Sequence, residues 1–451
     1  MLTLAFSLAK TFLKAELFGN DGMFKGISTN TRTLKPGELF VAIKGEHFNG
    51  HNFIHEAIYK KASGLLLSEK FKANIPILKV KNTLIAYGKM AKYYREQFNP
   101  SITAVTGSCG KTTVKTMLTC ILQEAGQVLS SPGNYNNEIG IPKTLLQLTE
   151  EHKFAIIEMA AKKSGDIAYL MEIANPQVSL ITNVGPCHLE MFGDLEEVAI
   201  TKGEIYQNLS NTGCAVVNVD DAYAPYWLSQ IGTQNIITFG LERKADVTCA
   251  SIIHESDHTK FELITDIGII KIHLATLGTH NVLNAVASAA AARAHGISLN
   301  HIANGLSKFK PLSFRGRVFN GYRGAKIIDD TYNANPNSMK AALAILARID
   351  IKKKIFVLGD MLELGKMSDK FHFVLGQFTK NLGIQKLLGF GKFSKNAVDG
   401  FGNNAKHYLN KESLIDDLIK IIDNNTIILI KGSRAMCMEE ITLALTEVKK
   451  K

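Results

Sequence analysis

The sequence predicts an α/β protein whose central part is a doubly wound, mostly parallel sheet. The chain has 451 residues, which is long enough for two to four domains. Between residues 99 and 312, short β-branched segments alternate with amphipathic helical patterns, as in strands joined by crossover helices. A glycine-rich turn also joins one of these strands directly to a helix. These two observations predict the fold class, and α/β patterns on either side predict flanking domains.

The first 98 residues are predicted to form a small α/β domain. The expected elements are a strand at residues 37–43, a helix at residues 53–61 and a strand at residues 64–67. Two polar segments, residues 28–32 and 44–51, are rich in turn-forming residues, and on composition alone they are loops.

The turn between strand 102–106 and helix 111–123 is the strongest functional signal in the chain. Its backbone N–H groups point outward at the positive end of the helix dipole, which makes an anion site. Lys111 and the Thr112 hydroxyl suit a triphosphate and its Mg²⁺. The spacing departs from the standard Walker pattern, because Val105 stands where the first glycine of that pattern belongs. The alternative is a tight strand-to-helix connection without a ligand, and the Gly-Lys-Thr-Thr context favours nucleotide binding.

Two further strands of the predicted sheet end in residue types that can bind metal ions. An apolar strand at residues 154–157 ends in Glu158, and a strand at residues 178–183 is followed by His188. Ligands of open parallel sheets bind outside the carboxyl ends of the strands, so these side chains should meet the glycine turn. Each residue alone has an ordinary alternative, a surface charge or a loop histidine. Together they predict a Mg²⁺ site beside a triphosphate.

Lys202 falls within the apolar stripe of a helix predicted over residues 195–209. A lysine that points inward must find an anion, lower its pKa or be chemically altered. A neutral amine reacts with CO₂ to give a carbamate, which is a carboxylate-like metal ligand. The ordinary alternative is a lysine whose stem crosses the core and whose ammonium reaches water.

The last third of the chain delivers polar loops from successive strands. An alanine-rich helix, opened by residues 278–284, first leads to the boundary near Pro311. From residue 313 to residue 451, a second α/β unit is predicted. Its strands at 325–328, 354–358 and 426–430 are followed by the polar segments 329–336, 359–365 and 431–434. Polar clusters that follow strand ends are typical of a binding face.

Composition limits the classes of protein that the chain represents. The net charge of +11 invites a nucleic-acid partner, but the lysines are spread along the chain without a long basic run. The six cysteines have no paired spacing, so neither a disulfide framework nor a zinc site is expected. We expect a cytoplasmic monomer without a membrane span, a signal peptide or a nucleic-acid partner. A nucleotide-binding regulator or a nucleic-acid-associated ATPase stays open as the alternative.

The motifs together resemble those of the Mur ligases of bacterial cell-wall synthesis over the whole chain. Residues 106–113 match the shortened phosphate loop of that family, which explains the departure at Val105. The segments at 133–142, 182–193 and 278–284, and those around Asp330 and Asp360, match the branch that adds D-alanyl-D-alanine. Two same-superfamily rivals, the enzyme that adds the third peptide residue and folylpolyglutamate synthase, are disfavoured by these branch motifs.

The resemblance implies three domains and an ATP-dependent amide-bond ligase. Residues 1–98 would bind the UDP end of UDP-N-acetylmuramoyl-tripeptide, residues 99–312 would bind ATP, and a mobile, Rossmann-like domain at 313–451 would receive D-alanyl-D-alanine. ATP and Mg²⁺ would convert the tripeptide carboxylate to an acyl phosphate, with release of ADP and then of phosphate. The product would be a peptidoglycan precursor.

The resemblance also implies the residues of the site. The catalytic residues would be Lys111, Glu158, His188, Lys202 and Arg317. The metal ligands would be Thr112, Glu158, His188 and, if carbamylated, Lys202. The nucleotide would contact Gly107, Ser108, Cys109, Gly110, Lys111, Thr112, Thr113, Asn281, Asn284, Arg317 and Asp330. The peptide substrates would contact Ser28, Thr29, Arg32, Lys44, Gly45, His51, Asn134, Asn137, Asn333, Asn335, Lys431, Ser433 and Arg434.

Overall fold

The computed structural model describes residues 2–45, 48–187, 189–255 and 258–447. Three units follow one another along the chain, each built on its own sheet. The predicted fold class is confirmed, because parallel strand pairs dominate all three of these sheets. None of the helices in the described ranges is both long and apolar enough to cross a bilayer.

The N-terminal unit is a five-stranded sheet with an additional two-stranded pair. Its elements are β1 (Thr3–Ala5), α1 (Phe6–Leu13), β2 (Glu16–Phe18), β3 (Met23–Lys25), β4 (Ile27–Ser28), β5 (Leu39–Val41), α2 (Ile54–Tyr59), β6 (Gly64–Leu67), β7 (Ile77–Lys79) and α3 (Thr83–Arg95). The sheet order is β2-β7-β6-β5-β4, with β2 antiparallel to β7 and the other pairs parallel. The strand predicted at residues 64–67 is confirmed.

The central unit contains the predicted doubly wound sheet. Its elements are β8 (Ser101–Thr106), α4 (Lys111–Gln123), β9 (Gln127–Ser130), α5 (Gly140–Leu145), β10 (His152–Glu158), α6 (Asp166–Ala174), β11 (Val178–Ile181), α7 (Leu189–Phe192), α8 (Leu195–Gln207), β12 (Cys214–Asn218), α9 (Ala224–Gln230), β13 (Asn235–Phe239), β14 (Thr248–His254), β15 (Thr259–Thr265), β16 (Gly268–Leu274), α10 (Thr279–Ala294) and α11 (Leu299–Lys308). The six parallel strands run in the order β13-β12-β11-β8-β10-β9. The chain leaves β8 toward one edge and later returns on its other side, so the strand order reverses at β8, where ligands bind in such sheets.

Strand β8 shows how the core is divided. Ile102 and Ala104 face a layer that includes α3 of the N-terminal unit, whereas Val105 faces the layer of α4 and α10. This alternation follows from the two-residue period of a strand. The helix predicted over residues 111–123 is confirmed at those bounds, and its apolar stripe is fully buried.

One part of the predicted alternation is wrong. Strands β14, β15 and β16 form a three-stranded antiparallel sheet rather than strand–helix units. The burial of β15 alternates at every residue, which is the pattern of a strand with one face in the core. This period of two was present in the sequence.

The C-terminal unit is a second, mostly parallel sheet. Its elements are β17 (Arg317–Asn320), β18 (Lys326–Asp329), α12 (Pro336–Arg348), β19 (Lys353–Gly359), α13 (Ser368–Asn381), β20 (Lys386–Phe390), α14 (Ser394–Phe401), β21 (Ala405–Tyr408), α15 (Lys411–Ile421), β22 (Thr426–Lys431) and α16 (Glu439–Glu447). The order is β17-β18-β22-β19-β20-β21, and only β17 is antiparallel to its neighbour. The loops after β18, β22 and β19 therefore leave from the carboxyl ends of three adjacent parallel strands.

Candidate functional site

The glycine turn after β8 requires glycine at two positions. Gly107 has φ +146°, and a Cβ there would lie 1.9 Å from Thr182 Oγ1. Gly110 has φ +84°, and a Cβ there would lie 2.5 Å from Asn284 Oδ1. Because both positions lie in the left-handed region and face close neighbours, larger residues would displace the turn. The turn is thus held against the end of β11 and the start of α10.

Asn183 fixes the turn from the neighbouring strand end. Its main-chain oxygen accepts a hydrogen bond from Ser108 N (2.9 Å), and its Oδ1 accepts one from Cys109 N (3.0 Å). Strand β11 ends at Ile181, two residues earlier than predicted, because Thr182 and Asn183 turn toward these partners.

The N-terminus of α4 is open to an anion. No side chain of the described residues caps this helix, so the N–H groups of its first turn, which includes Thr113, are left for a ligand. Lys111 folds back over the turn and donates to Gly107 O at 2.6 Å. An uncapped helix N-terminus beside a lysine ammonium is suited to bind phosphate.

Glu158 lies at the end of β10 and is 2% exposed. Its Oε1 accepts a hydrogen bond from Asn136 Nδ2 (2.9 Å), and its Oε2 lies 3.2 Å from Lys115 Nζ. Burial alone would raise the pKa of this carboxyl, but Lys115, Lys111 and Asn136 together hold it below the ordinary value. The residue is therefore an enclosed carboxylate.

The donor set fits a hard cation at Glu158. Among the described residues its enclosed Oε2 is engaged by the Lys115 ammonium alone, and because a carboxylate oxygen has more than one lone pair, one is left for a ligand. Hard cations such as Mg²⁺ take oxygen ligands of this kind. No group of three acidic, histidine or cysteine side chains within the described ranges could form a metal cage by itself. His188, the predicted partner ligand, lies outside the described residues.

Lys202 is buried in α8, with 3% of the residue exposed. Burial is the main cause that lowers the pKa of its ammonium to about 8, while the effect of Cys187 opposes this shift and the charge of Lys111 adds to it. Its side chain has no hydrogen-bond or ion-pair partner in the described part of the chain. Lys202 lies on α8, which packs on β8, the strand that leads into the glycine turn.

The loop after β11 also packs on the turn. Cys187 Sγ lies 3.1 Å from Ser108 Oγ, and Ser108 Oγ exchanges hydrogen bonds with both backbone groups of Gly185 (3.0 and 3.1 Å). The residue that follows Cys187 is His188. The structure therefore gathers the turn, the Glu158 strand end, Lys202 and Cys187, the residue before His188.

The C-terminal unit reaches the turn through a residue that sequence reasoning missed. Arg315 Nη2 donates to Thr112 Oγ1 at 3.1 Å, and its guanidinium lies 3.9 Å from the centre of the Tyr332 ring. Arg317, which we had predicted, is exposed on β17, with its guanidinium 5.0 Å from the Phe319 ring. The only feature of the sequence that could have pointed to Arg315 is the second arginine in Arg315-Gly316-Arg317.

Asn335 makes a second contact between the units. Its Nδ2 lies 3.0 Å from Cys109 Sγ, while its Oδ1 caps α12 by accepting from Ser338 N at 2.9 Å. The neighbouring Asn337 is close to Gly185, where a Cβ would lie 2.4 Å from its Nδ2. The N-terminal end of α12 therefore faces the glycine turn.

The predicted nucleotide residues of α10 lie behind the turn. Asn284 is 8% exposed and faces Gly110, and its Nδ2 donates to Asn281 Oδ1 at 3.4 Å. Asn281 Nδ2 donates to Leu277 O at 2.8 Å, at the entrance to α10. Asp330 is engaged elsewhere, because its Oδ2 lies 2.5 Å from Lys431 Nζ.

Other predicted substrate residues hold the polar loops of the C-terminal unit together. Lys431 is 3% exposed, and its Nζ also donates to Asn333 O at 2.9 Å. Ser433 Oγ accepts from Leu362 N at 2.9 Å, and Arg434 pairs with Glu439 at 2.8 Å. All of these lie at the carboxyl edge of the C-terminal sheet, where a substrate would bind.

The loop after β9 contains two predicted residues and one that was missed. Asn137 Oδ1 accepts from Gly140 N (2.9 Å) at the start of α5, and Asn134 is exposed. The residue between them in the same run, Asn136, is the one that contacts Glu158. Lys115, one helical turn beyond Lys111, was also missed.

The predicted residues of the N-terminal unit meet at one edge of its sheet. Ser28 ends β4, Lys44 follows β5, and His51 Nε2 accepts from Ser68 N (3.1 Å) just after β6. Burial lowers the pKa of His51, which favours the neutral ring. Thr29, Arg32 and Gly45 lie in the same loops, and residues 46 and 47 of the second loop are outside the described part. No hydrogen bond joins the described members of this set to the glycine turn.

Comparisons with known proteins identify relatives over the full chain. Three family models match: the Mur ligase family catalytic domain at residues 23–99, the Mur ligase middle domain at 105–292 and the Mur ligase glutamate ligase domain at 315–434. The UDP-N-acetylmuramoyl-tripeptide–D-alanyl-D-alanine ligase of Escherichia coli (strain K12) is 38% identical over 450 residues, which cover 99% of both chains.

Solved structures agree with this relationship. A crystal structure of MurF from Acinetobacter baumannii is similar, with a TM-score of 0.94 and 32% identity over 99% of both chains. The MurF ligase from Thermotoga maritima, solved in complex with ADP, has a TM-score of 0.84 and 28% identity over 93% of this chain and 97% of its own.

Proposed function

The chain belongs to the Mur ligase family, and we infer that it joins D-alanyl-D-alanine to the tripeptide carboxylate of UDP-N-acetylmuramoyl-tripeptide, with conversion of ATP to ADP and phosphate. The product is a peptidoglycan precursor. The observation that carries this inference is the 38% identity, over 99% of both chains, to a ligase with these substrates in its name. The glycine turn supports it, because it offers an uncapped helix N-terminus and Lys111 to a triphosphate.

The reaction needs two steps, because a carboxylate is a poor electrophile. A carboxylate oxygen of the tripeptide attacks the γ-phosphorus of ATP, the bond to the bridging oxygen breaks, and ADP leaves. The amino group of D-alanyl-D-alanine then attacks the carbonyl carbon of the acyl phosphate, inorganic phosphate leaves with the bonding electrons, and the amine loses a proton. Lys111 and Arg315 would hold the transferred phosphoryl group and offset its charge.

A bound Mg²⁺ would screen the repulsion between the carboxylate and the triphosphate. Thr112 and Glu158 would hold one ion, and His188 a second. Lys202 would join the second site as a carbamate, formed when its neutral amine attacks CO₂ and loses a proton. The enclosed carboxylate of Glu158 and the buried Lys202, which has no hydrogen-bond or ion-pair partner among the described residues, support this assignment.

We assign the three units to the three substrates. Residues 1–98 would bind the UDP end through the loops at Ser28–Arg32 and Lys44–His51, and residues 99–312 would bind ATP. Residues 313–451 would receive the dipeptide. The residues that would contact it are Asn333, Asn335, Lys431, Ser433 and Arg434. Asn134 and Asn137 would contact the peptide from the central unit, and Asn281, Asn284 and Asp330 would contact the nucleotide, with Arg315 in the place predicted for Arg317. Contacts of Arg315 and Asn335 with the turn support closure of the last unit over ATP, which would exclude water from the acyl phosphate. A cytoplasmic monomer fits this role.

An ADP-release assay with both substrates tests the function. ADP and phosphate should appear only when ATP, the UDP-linked tripeptide and D-alanyl-D-alanine are all present. The tripeptide should be supplied with lysine and, separately, with diaminopimelate at its third position. Release of AMP would exclude the acyl-phosphate route, and ATP turnover stimulated by DNA or RNA would support the nucleic-acid-associated alternative instead.

A further inference from the structure

Lys115 is a buried cation of α4 that the mechanism above does not use. It lies four residues after Lys111, on the same face of the helix, and is 4% exposed. Its Nζ donates to Ser131 O (2.8 Å) and Gly133 O (2.9 Å) and lies 3.2 Å from Glu158 Oε2. A buried ammonium is costly unless its donors are all engaged, so these three oxygen atoms account for its position.

The three oxygen atoms belong to two different parts of the site. Ser131 and Gly133 begin the loop that leaves β9, whereas Glu158 ends the neighbouring strand β10. Asn136 of the same loop makes a second connection, since its Nδ2 donates to Glu158 Oε1 at 2.9 Å. The loop of residues 131–137 is therefore attached to the proposed metal-binding carboxylate at two points.

Among the described residues, one atom of this network has no hydrogen-bond partner. That atom is Ser131 Oγ, which is enclosed, whereas Glu158 Oε2 is engaged by the Lys115 ammonium. Buried polar atoms are normally paired in native proteins, so the free hydroxyl at the start of the loop indicates that a ligand completes the arrangement. A movement of the loop would shift Glu158 through Lys115, and the reverse, because the Lys115 ammonium donates to both.

We propose that Lys115 is a positioning residue that couples the binding of the UDP-linked tripeptide to the binding of the magnesium–nucleotide complex. The inference rests on the proposed function, in which loop 131–137 contacts the tripeptide and Glu158 holds the metal. When the substrate binds to the loop, Lys115 sets the position of Glu158, and the metal–nucleotide complex then binds more tightly. Such coupling is reciprocal, so the bound nucleotide raises the affinity for the tripeptide by the same factor.

The experiment is a binding cycle measured by calorimetry on the full chain. The Kd of Mg²⁺ with β,γ-methylene-ATP is measured with and without saturating UDP-N-acetylmuramoyl-tripeptide. The wild-type ratio of the two values should lie between about 5 and 150, the usual range of such couplings. In Lys115→Met the ratio should fall below about 2. The matched control is Lys143→Met, because Lys143 also contacts this loop, with Nζ 4.8 Å from the Tyr135 ring, and should keep the wild-type ratio.

A second variant keeps the test decisive if Lys115→Met does not fold. Asn136→Ala removes only the hydrogen bond to Glu158 Oε1 and should reduce the ratio at least about threefold. Three results would overturn the proposal: a wild-type ratio of one, an unchanged ratio in both Lys115→Met and Asn136→Ala, or an equal loss in Lys143→Met. Failure of the proposed function is distinguishable, because the wild-type protein would then not bind the tripeptide or the nucleotide analogue at all.

Discussion

Replacing Arg315 by alanine tests how the C-terminal unit contributes to phosphoryl transfer. The guanidinium donates to Thr112 Oγ1 at 3.1 Å and is held in place by the Tyr332 ring at 3.9 Å. Because Thr112 lies in the first turn of α4, a triphosphate bound at the glycine turn would meet this guanidinium directly. The variant therefore removes a positive charge from the region where charge builds up in the transition state.

The expected loss follows from the charge that the variant removes from the transition state. Removing one preorganised donor typically costs about 100- to 1,000-fold in kcat, or about 2.7–4 kcal/mol. We therefore expect kcat/KM for ATP to fall by about 100- to 1,000-fold. Most of the loss should appear in kcat, since the charge acts mainly on the transferring group.

Arg317→Ala is the matched control. This arginine is two residues away and exposed, and its guanidinium is 5.0 Å from the Phe319 ring, away from Thr112. We expect less than about a threefold change in kcat/KM, because exposed charge contacts contribute little. ADP release should be measured for both variants with all substrates present. A large loss in Arg317→Ala together with near-normal activity of Arg315→Ala would refute the geometric assignment and support the one made from the sequence.

Three further variants test other parts of the site. Lys111→Ala should abolish ADP release but leave the Kd of the UDP-linked tripeptide within about twofold of wild type, and equal loss of tripeptide binding by calorimetry would contradict the assignment of units. Lys202→Ala should lose most activity, which short carboxylic acids should partly restore, and a lack of rescue by every acid tried would count against the carbamate. Gly110→Ala should weaken ADP binding at least about tenfold, because its Cβ would lie 2.5 Å from Asn284 Oδ1 at φ +84°, and normal affinity would show that the turn adapts.

Local pattern was sufficient for the elements that approach the nucleotide. The helix over residues 111–123 has the predicted bounds, because its apolar spacing and the glycines before it act within one segment of chain. The placement of Glu158 at a strand end also followed from the sequence, since a buried strand followed by a polar residue is a local signal. The antiparallel strands at 248–274 were predictable as well, from an alternation that was overlooked.

Tertiary structure decided which side chains meet. Nothing in the local sequence distinguishes Arg315 from Arg317. In the structure, Arg315 lies just before β17 and contacts Thr112, whereas Arg317 is the first residue of β17 and is exposed. Likewise, Lys115 differs from other helix lysines only because the ends of β9 and β10 lie side by side and offer it three oxygen atoms. The sequence by itself determined the chemistry available at each strand end, because that depends on neighbours along the chain. The partners of each charge depend on strand order and on the packing of separate units, which only the folded structure establishes.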